Sequence, residues 1–403
     1  MGIEAALYAR YLGYDVDLYE RGSLAANVMK WGHVRMFSPW KWNVSTLGLA
    51  ALAAQDPNWR PPDGEALPTG RELAERYLVP LAHSDLVIDS LRLETEVLAV
   101  GREGLLKGDL VGDEARSEPP FRLLVRDARG ERYATADVVL DCTGTFGNHN
   151  WLGTGGLPAL GELAVADEIE YGLPDIEGQD RARYANRCVL VVGGGHSAAT
   201  NVLALARLAA SETETRIIWA VRRADPAGMG PLPRLEHDPL PERDRLAQQA
   251  NRLAAECPQV EYLPETSVRS LARREHQAGF VVQFEGAHAG ERQVDAVIAN
   301  VGWRPDRRIY EELHVHECYA SGGPMKLAAA LLSSGNDCLA LPAVGPQALL
   351  NPEMDFYILG AKSYGRRSPF LLRQGREQIQ QVFSVIFDRP GLDLYSTHRS
   401  PYE

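Results

Sequence analysis

Residues 187–223 read RCVLVVGGGHSAATNVLALARLAASETETRIIWAVRR, and no other stretch narrows the fold as far. CVLVV is a short continuous apolar run, the pattern of a strand buried on both faces of a parallel sheet. It runs directly into Gly193, Gly195 and Ala198, spaced G-x-G-x-x-A, and an apolar helix and the strand RIIWAV follow. Strand, glycine turn, helix and strand in that order form the context in which such a motif specifies a dinucleotide-binding unit. Gly193 permits the tight turn, Gly195 lets the backbone approach a pyrophosphate, and Ala198 lets helix and strand pack closely. The helix start, with His196 and Ser197 in its first turn, offers unpaired N–H groups to a phosphate. The bland alternative is a glycine-rich structural turn.

The N-terminus repeats part of this unit. GIEAALYARYLG matches the helix, with Gly2 where Ala198 stands, and VDLYE matches the second strand. Glu20 ends that strand and Arg21 follows it; an acid there accepts ribose hydroxyls. Only Met1 stands ahead of Gly2. The repeat therefore leads us to expect that upstream coding sequence supplies an apolar strand and the first two glycines. The competing reading is a first site that has been lost.

Two domains suit 403 residues, and 45% apolar with 24% charged residues is ordinary globular composition. The net charge of −12 argues against a general nucleic-acid surface. No apolar run approaches the roughly 18 residues of a membrane helix, and no signal peptide is visible, so a cytoplasmic location is expected. The five cysteines (Cys142, Cys188, Cys257, Cys318 and Cys338) show neither CxxC nor metal-type spacing. They read as buried thiols with no metal site, though Cys318 and Cys338 could meet in space.

Elsewhere, the tryptophan-rich stretch 27–45 reads as a long loop, either locally packed or lying beside a flat ring. Residues 68–84 read as a helix capped by Thr69. FRLLVRDARGERYATADVVLDCTGT reads as a hairpin turning at 129–130 and leading into a buried strand. That strand ends at Thr143-Gly144, and DAVIANVGWRPD ends similarly at Gly302. Each closes one nucleotide unit, so one architecture is present twice. Residues 156–186 are rich in Gly, Pro and acids and read as a crossing between domains. Residues 223–247 read as a surface excursion with His237 and Asp238 solvated. In the C-terminal FYILGAKSYGRRSPFLLRQGREQIQQVF, a strand leads through a polar loop to a helix start near Lys362, Arg366 and Arg367. That arrangement favours negative charge; a surface loop closing the sheet is the alternative.

This order of parts resembles the FAD-dependent pyridine-nucleotide oxidoreductases, in their flavin-monooxygenase-like and thioredoxin-reductase-like branch. The resemblance implies an α/β chain of two Rossmann-like domains, the NAD(P) domain inserted into the FAD domain. Residues 1–155 and 306–403 would form the first, 185–305 the second, and 156–184 the crossing. It implies FAD bound by Gly2, Glu20, Arg21, Val97, Thr143 and Gly144, with Gly360, Lys362, Arg366 and Phe370 toward the flavin. It implies a nicotinamide dinucleotide held by Gly193, Gly195, His196, Ser197 and Ala198, with Gly302 closing that unit. Arg222 and Arg223 stand where an acid would repel a 2′-phosphate, and favour NADPH over NADH. FSPWKWNVS is similar to a monooxygenase stretch that carries an asparagine near the flavin, here Asn43. The F-x-G-x-x-x-H signature of monooxygenases and the CxxC pair of thioredoxin reductases are both absent. The expected function is hydride transfer from NADPH to FAD and on to a small-molecule or small-protein acceptor, monooxygenase-like. The alternatives are a reductase of a protein, quinone or thiol, and a non-catalytic NADPH-binding remnant. The superfamily often forms homodimers.

Overall fold

The computed structural model describes residues 1–225, 228–235, 237–332, 344–367 and 370–402. Cys338 lies outside them. In chain order the elements used below are α1 (Gly2–Tyr11), β1 (Leu18–Tyr19), α2 (Trp40–Asn43), β2 (Leu91–Arg92), β3 (Glu96–Arg102), β4 (Phe121–Asp127), β5 (Gly130–Ala136), β6 (Val139–Asp141), β7 (Cys188–Val192), α3 (His196–Ser211), β8 (Arg216–Ala220), α4 (Pro241–Glu256), β9 (Val260–Leu263), β10 (Thr266–Arg273), β11 (Phe280–Gly286), β12 (Gly290–Val294), β13 (Ala296–Ala299), β14 (Phe356–Ile358) and α5 (Leu372–Ile386). They fall into two compact units: Met1–Met29, Ser38–Asn148 and Trp303–Glu403 in the first, Lys30–Phe37 and His149–Gly302 in the second.

The second unit is built on a four-stranded parallel sheet in the order β13-β7-β8-β9. Val189, Leu190 and Val191 of central β7 have 0% exposure, as a strand covered on both faces requires. One face packs against α3 and α4 through Val202, Leu205, Leu208, Ala247 and Ala250. The other face packs on the antiparallel sheet β10-β11-β12 through Val268, Val282 and Phe284.

The first unit holds two short parallel pairs, β1-β2 and β14-β6, and the antiparallel sheet β3-β4-β5. The expected hairpin is β4-β5, with Asp127 opposite Gly130 and the Arg129 N–H donating to Asp127 Oδ1 at 2.8 Å. Inward Phe121, Leu123 and Val125 alternate with exposed or half-buried neighbours and meet Phe356 and Ile358. A buried carboxylate ties this core together. Glu353 Oε1 accepts from Arg102 Nε at 2.8 Å, and its Oε2 accepts from Arg116 Nε at 3.0 Å and the His314 N–H at 2.8 Å. Burial alone would raise its pKa, but these hydrogen bonds win and hold it below the usual carboxylate value.

Three expectations need correction. The supposed crossing 156–184 belongs to the second unit. Its Leu160 pairs with β10 and its Glu170 with β13, and the fully buried Glu162 accepts from the Leu152 and Ala159 N–H groups and the Tyr171 hydroxyl. Its polar composition conceals edge pairing and one satisfied buried acid. Asp238 is not solvated: its side chain is 4% exposed and bidentate with Arg243, at 2.7 Å to both nitrogens. The stretch 27–45 is not one loop, since Lys30–Phe37 joins the second unit while α2 stays in the first, with Trp40 buried.

Candidate functional site

In the second unit β7 delivers the chain into the glycine turn. Gly193 has φ +137°, and a Cβ there would collide with the Asn300 carbonyl oxygen. Its own carbonyl accepts from Trp219 Nε1 at 2.8 Å. A Cβ on Gly195 would meet open space, so the backbone is approachable there. Helix α3 starts with no side-chain cap, leaving its first N–H groups presented beyond the sheet's C-terminal edge. Ser197 and His196 are exposed there, while Ala198 is fully buried against the sheet. The Phe37 ring meets the His196 ring edge-on at 5.7 Å. Although His196 is exposed as a whole, partial desolvation of its ring, with Arg243 nearby, shifts its pKa below the ordinary histidine value.

Arg222 and Arg223 stand one residue beyond β8, after buried Val221, and are exposed. Among the described residues neither side chain has a hydrogen-bond or ion-pair partner. Gly302, φ +85°, takes the Asn150 N–H on its carbonyl at 2.9 Å. Sequence reasoning missed the lock behind this turn. Asn201, 1% exposed, donates to Asn300 Oδ1 at 2.8 Å and to the Gly172 carbonyl at 3.2 Å, and Asn300 Nδ2 donates to the same carbonyl at 2.8 Å. The one available signal was an asparagine on the apolar face of α3.

The first unit offers the matching parts around α1. Glu20 Oε1 accepts from the Gly22 N–H at 2.9 Å, and its other oxygen has no partner among the described residues. Arg21 is exposed and lies over Gly147, 3.3 Å from where a Cβ would stand. Gly144, φ +70°, faces open space beside Thr143. Val97 sits at a bulge of β3 opposite Val125, where the strand register shifts. Gly360, φ +72°, donates to Gln378 Oε1 at 2.8 Å. A Cβ there would lie 3.0 Å from Met1 Cγ. Phe370 stands just ahead of α5 and meets the Tyr364 ring edge-on at 5.3 Å. The Arg366 N–H donates to the Ser321 carbonyl at 2.7 Å and its side chain is exposed.

Two candidates are occupied otherwise. Lys362 is 1% exposed and points inward, with Nζ 2.6 Å from Asp141 Oδ2 and 2.9 Å from Thr143 Oγ1. It neutralises a buried carboxylate and is not a free cation at the start of α5. Asn43 is 5% exposed. Its Nδ2 donates to the Ser38 and Pro39 carbonyls, and its Oδ1 accepts from the Ser38 hydroxyl. The whole amide closes the 38–43 turn. Among the described residues no His/Cys/Asp/Glu group could hold a metal ion, and no helix is long and apolar enough to cross a membrane.

No family model matches the chain, and no curated protein matches it. Solved structures do. Bacillithiol disulfide reductase from Bacillus cereus aligns at TM-score 0.66 and 16% identity, over 96% of this chain and 95% of that one. A cadaverine monooxygenase of desferrioxamine biosynthesis from Erwinia amylovora, solved with FAD, aligns at 0.61 and 10%, over 100% and 95%. Ornithine N-hydroxylase from Kutzneria sp. 744, solved with reduced FAD and NADP⁺, aligns at 0.58 and 15%, over 96% and 97%. At this identity the likeness establishes the fold.

Proposed function

We propose that a chain folded as these Rossmann-type oxidoreductases are is itself a flavin-dependent NAD(P)H oxidoreductase, with FAD on the first unit and NADPH on the second. The observation that carries this is an asymmetry between two like units. Where the second strand ends, the first presents Glu20 with an oxygen to spare for ribose hydroxyls, and the second presents the unpartnered Arg222 and Arg223. An acid repels a 2′-phosphate and paired guanidinium groups bind one, so the two units select different nucleotides.

The residues present fit these groups. Gly195 and Gly144 leave room for backbone approach, and the uncapped start of α3 favours a phosphate. His196, Ser197 and the α3 N–H groups would hold the pyrophosphate of NADPH. Glu20, Arg21, Thr143 and Gly144 would hold the adenosine end of FAD. The flavin, when bound, supplies two-electron chemistry from the nicotinamide to an acceptor; the protein binds, orients and excludes water. Asn201 and Asn300 act one step back by fixing the turn that carries Gly193.

The test is visible absorbance of the purified protein and its response to NADPH. A flavin spectrum that bleaches with NADPH supports the reading. A folded protein that binds NADPH and never retains added FAD sinks it in favour of a nucleotide-binding remnant. Two acceptor classes remain. A monooxygenase gives NADPH oxidation coupled to oxygen uptake and a product gaining one oxygen. A reductase, favoured by the likeness to a disulfide reductase, gives anaerobic turnover with a disulfide or quinone.

A further inference from the structure

The closing strands of the two units align residue for residue. DVVLDCTG of the first and DAVIANVG of the second set Asp137 with Asp295 and Gly144 with Gly302. Three residues ahead of its glycine the second unit has Ala299, 1% exposed. At the same place the first unit has Asp141, 4% exposed, and pairs it with Lys362, 1% exposed. The second unit closes its turn without a charge there, so this architecture does not require the pair. A buried ion pair also costs desolvation and is weak evidence for stability by itself.

The pair reaches into the glycine turn. Strands β6 and β14 run parallel and leave their sheet at the same end. Lys362 lies in the short turn Gly360–Tyr364 just past β14. Its ammonium donates to Asp141 Oδ2 at 2.6 Å and to Thr143 Oγ1 at 2.9 Å. It also sits 5.0 Å from the centre of the Tyr310 ring, whose hydroxyl donates to Glu317 Oε1 at 2.7 Å. Asp141 Oδ1 accepts the Thr143 N–H at 3.0 Å and the Thr143 O–H at 2.7 Å. Both donors of Thr143 go to the carboxylate, so its part is to set the turn that follows. In that turn Gly144 and Gly147 have φ +70° and +94°. The N–H groups of residues 144–147 have no partner among the described residues, and a Cβ on Gly144 would meet open space. Successive free N–H groups in such a turn form a concave cradle for an anion. An unpaired carboxylate behind the cradle would repel that anion, or turn toward water and release Thr143.

We propose that Lys362 is a positioning residue for the dinucleotide of the first unit. By neutralising Asp141 inside the protein, it lets a carboxylate hold Thr143 and shape the 144–147 turn without repelling the phosphates of FAD. This role rests on FAD binding to the first unit, as proposed, and it assigns Lys362 to the turn through Asp141 and not to the flavin ring.

The test compares the full-length chain with Lys362→Met and with the double variant Lys362→Met, Asp141→Asn. FAD affinity is read from flavin fluorescence during titration, and hydrogen exchange is read at the Thr143 amide without nucleotide. Protection of the β7 and β8 amides, which belong to the other unit, checks that each variant is folded. Lys362→Met should weaken FAD binding by roughly 10–100-fold, the worth of charge-assisted hydrogen bonds, and speed exchange at Thr143 by about tenfold or more. The double variant has no buried charge and keeps an acceptor for Thr143, so both readouts should return to within about threefold of wild type. Wild-type FAD affinity in Lys362→Met overturns the proposal, and with faster exchange it leaves the pair a structural role alone. A loss that the double variant does not recover also overturns it, because Lys362 then acts other than through Asp141. Where Lys362→Met does not fold, the double variant decides: folded with near-wild-type FAD affinity it supports the proposal, and without that affinity, or unfolded, it overturns it. A wild-type chain that retains no FAD refutes the proposed function instead. The exchange at Thr143 involves no nucleotide and still decides whether Lys362 holds the turn through Asp141.

Discussion

At the scale of single residues, the proposed choice of NADPH rests on two neighbouring arginines. Arg222 and Arg223 are exposed and unpartnered among the described residues, so their guanidinium groups are available to a 2′-phosphate. Replacing both by alanine should weaken NADPH binding roughly 10–100-fold, the worth of one or two charge-assisted hydrogen bonds, and leave NADH nearly unchanged. Calorimetric titration with both nucleotides checks this; an equal loss for both would mean that the arginines do not read the phosphate. Gly193→Ala forces a Cβ onto the Asn300 carbonyl at φ +137°. It should destabilise the second unit by about 2–4 kcal/mol, combining a strained φ with a steric clash, and abolish detectable NADPH binding. A melting curve matching the wild type with intact binding would refute the assigned geometry. The glycine turn and the placement of the terminal charges were legible in the sequence because they are local: a turn, a strand end, a helix start. The hydrogen bonds of Lys362 and Asn43 were not. The partner that turns Lys362 inward is Asp141, 221 residues away, and nothing near either residue announces it. By the likeness of FSPWKWNVS to a monooxygenase stretch Asn43 reads as a flavin neighbour, and nothing in that stretch announces that the Ser38 and Pro39 backbone and the Ser38 hydroxyl take up its amide.

Among the elements, strong local signals translated directly. Thr69 caps the helical run that follows it in a full capping box, its hydroxyl accepting from the Glu72 N–H and Glu72 answering to the Thr69 N–H. The β4-β5 hairpin stands where alternation and the Arg-Gly turn put it. Elements held by distant partners were illegible, as Glu353 shows. It follows a proline-rich stretch, yet it joins Arg102 of β3 to Arg116 and the His314 backbone. Glu353→Gln leaves two buried guanidinium groups facing a neutral amide and should cost about 3–5 kcal/mol at pH 7. The sign with pH follows from linkage. The folded pKa lies below the ordinary 4.5, so the unfolded chain binds the proton first as pH falls. The contribution is complete above the unfolded pKa and disappears as pH drops through the folded value. Urea midpoints of wild type and variant should therefore differ most at pH 7 and converge toward pH 3. A gap that stays constant over that range would show that the carboxylate charge is not what stabilises this core.

For the molecule as a whole, the repeat matters more than any single motif, because it makes the two units comparable and also separable. Each has its own apolar core: Val189, Val202, Leu205 and Trp219 in the second, Phe121, Val125, Tyr310 and Phe356 in the first. The sequence disclosed the repetition but misplaced its boundaries. Segments 30–37 and 156–184 carry little hydrophobic periodicity, and 156–184 joins the second unit by pairing with strands far along the chain. Separate cores and the nucleotide selectivity proposed for each unit lead to a prediction at this scale. If NADP⁺ binds the second unit's turn as proposed, then at about 100 times its dissociation constant it should stabilise that unit by roughly 2.7 kcal/mol. In native-state hydrogen exchange the protection of β7, β8 and β13 should rise by about that amount, while β3, β4 and β5 of the first unit stay as they were. The R222A/R223A chain serves as the control, since it should need far more NADP⁺ for the same shift. If NADP⁺ instead raises protection equally in both units, the molecule opens as one cooperative body and its units are not energetically independent. If the rise falls on β3, β4 and β5 alone, the assignment of nucleotides to units is reversed, and Glu20 rather than the arginine pair must be sought at the NADP⁺ ribose.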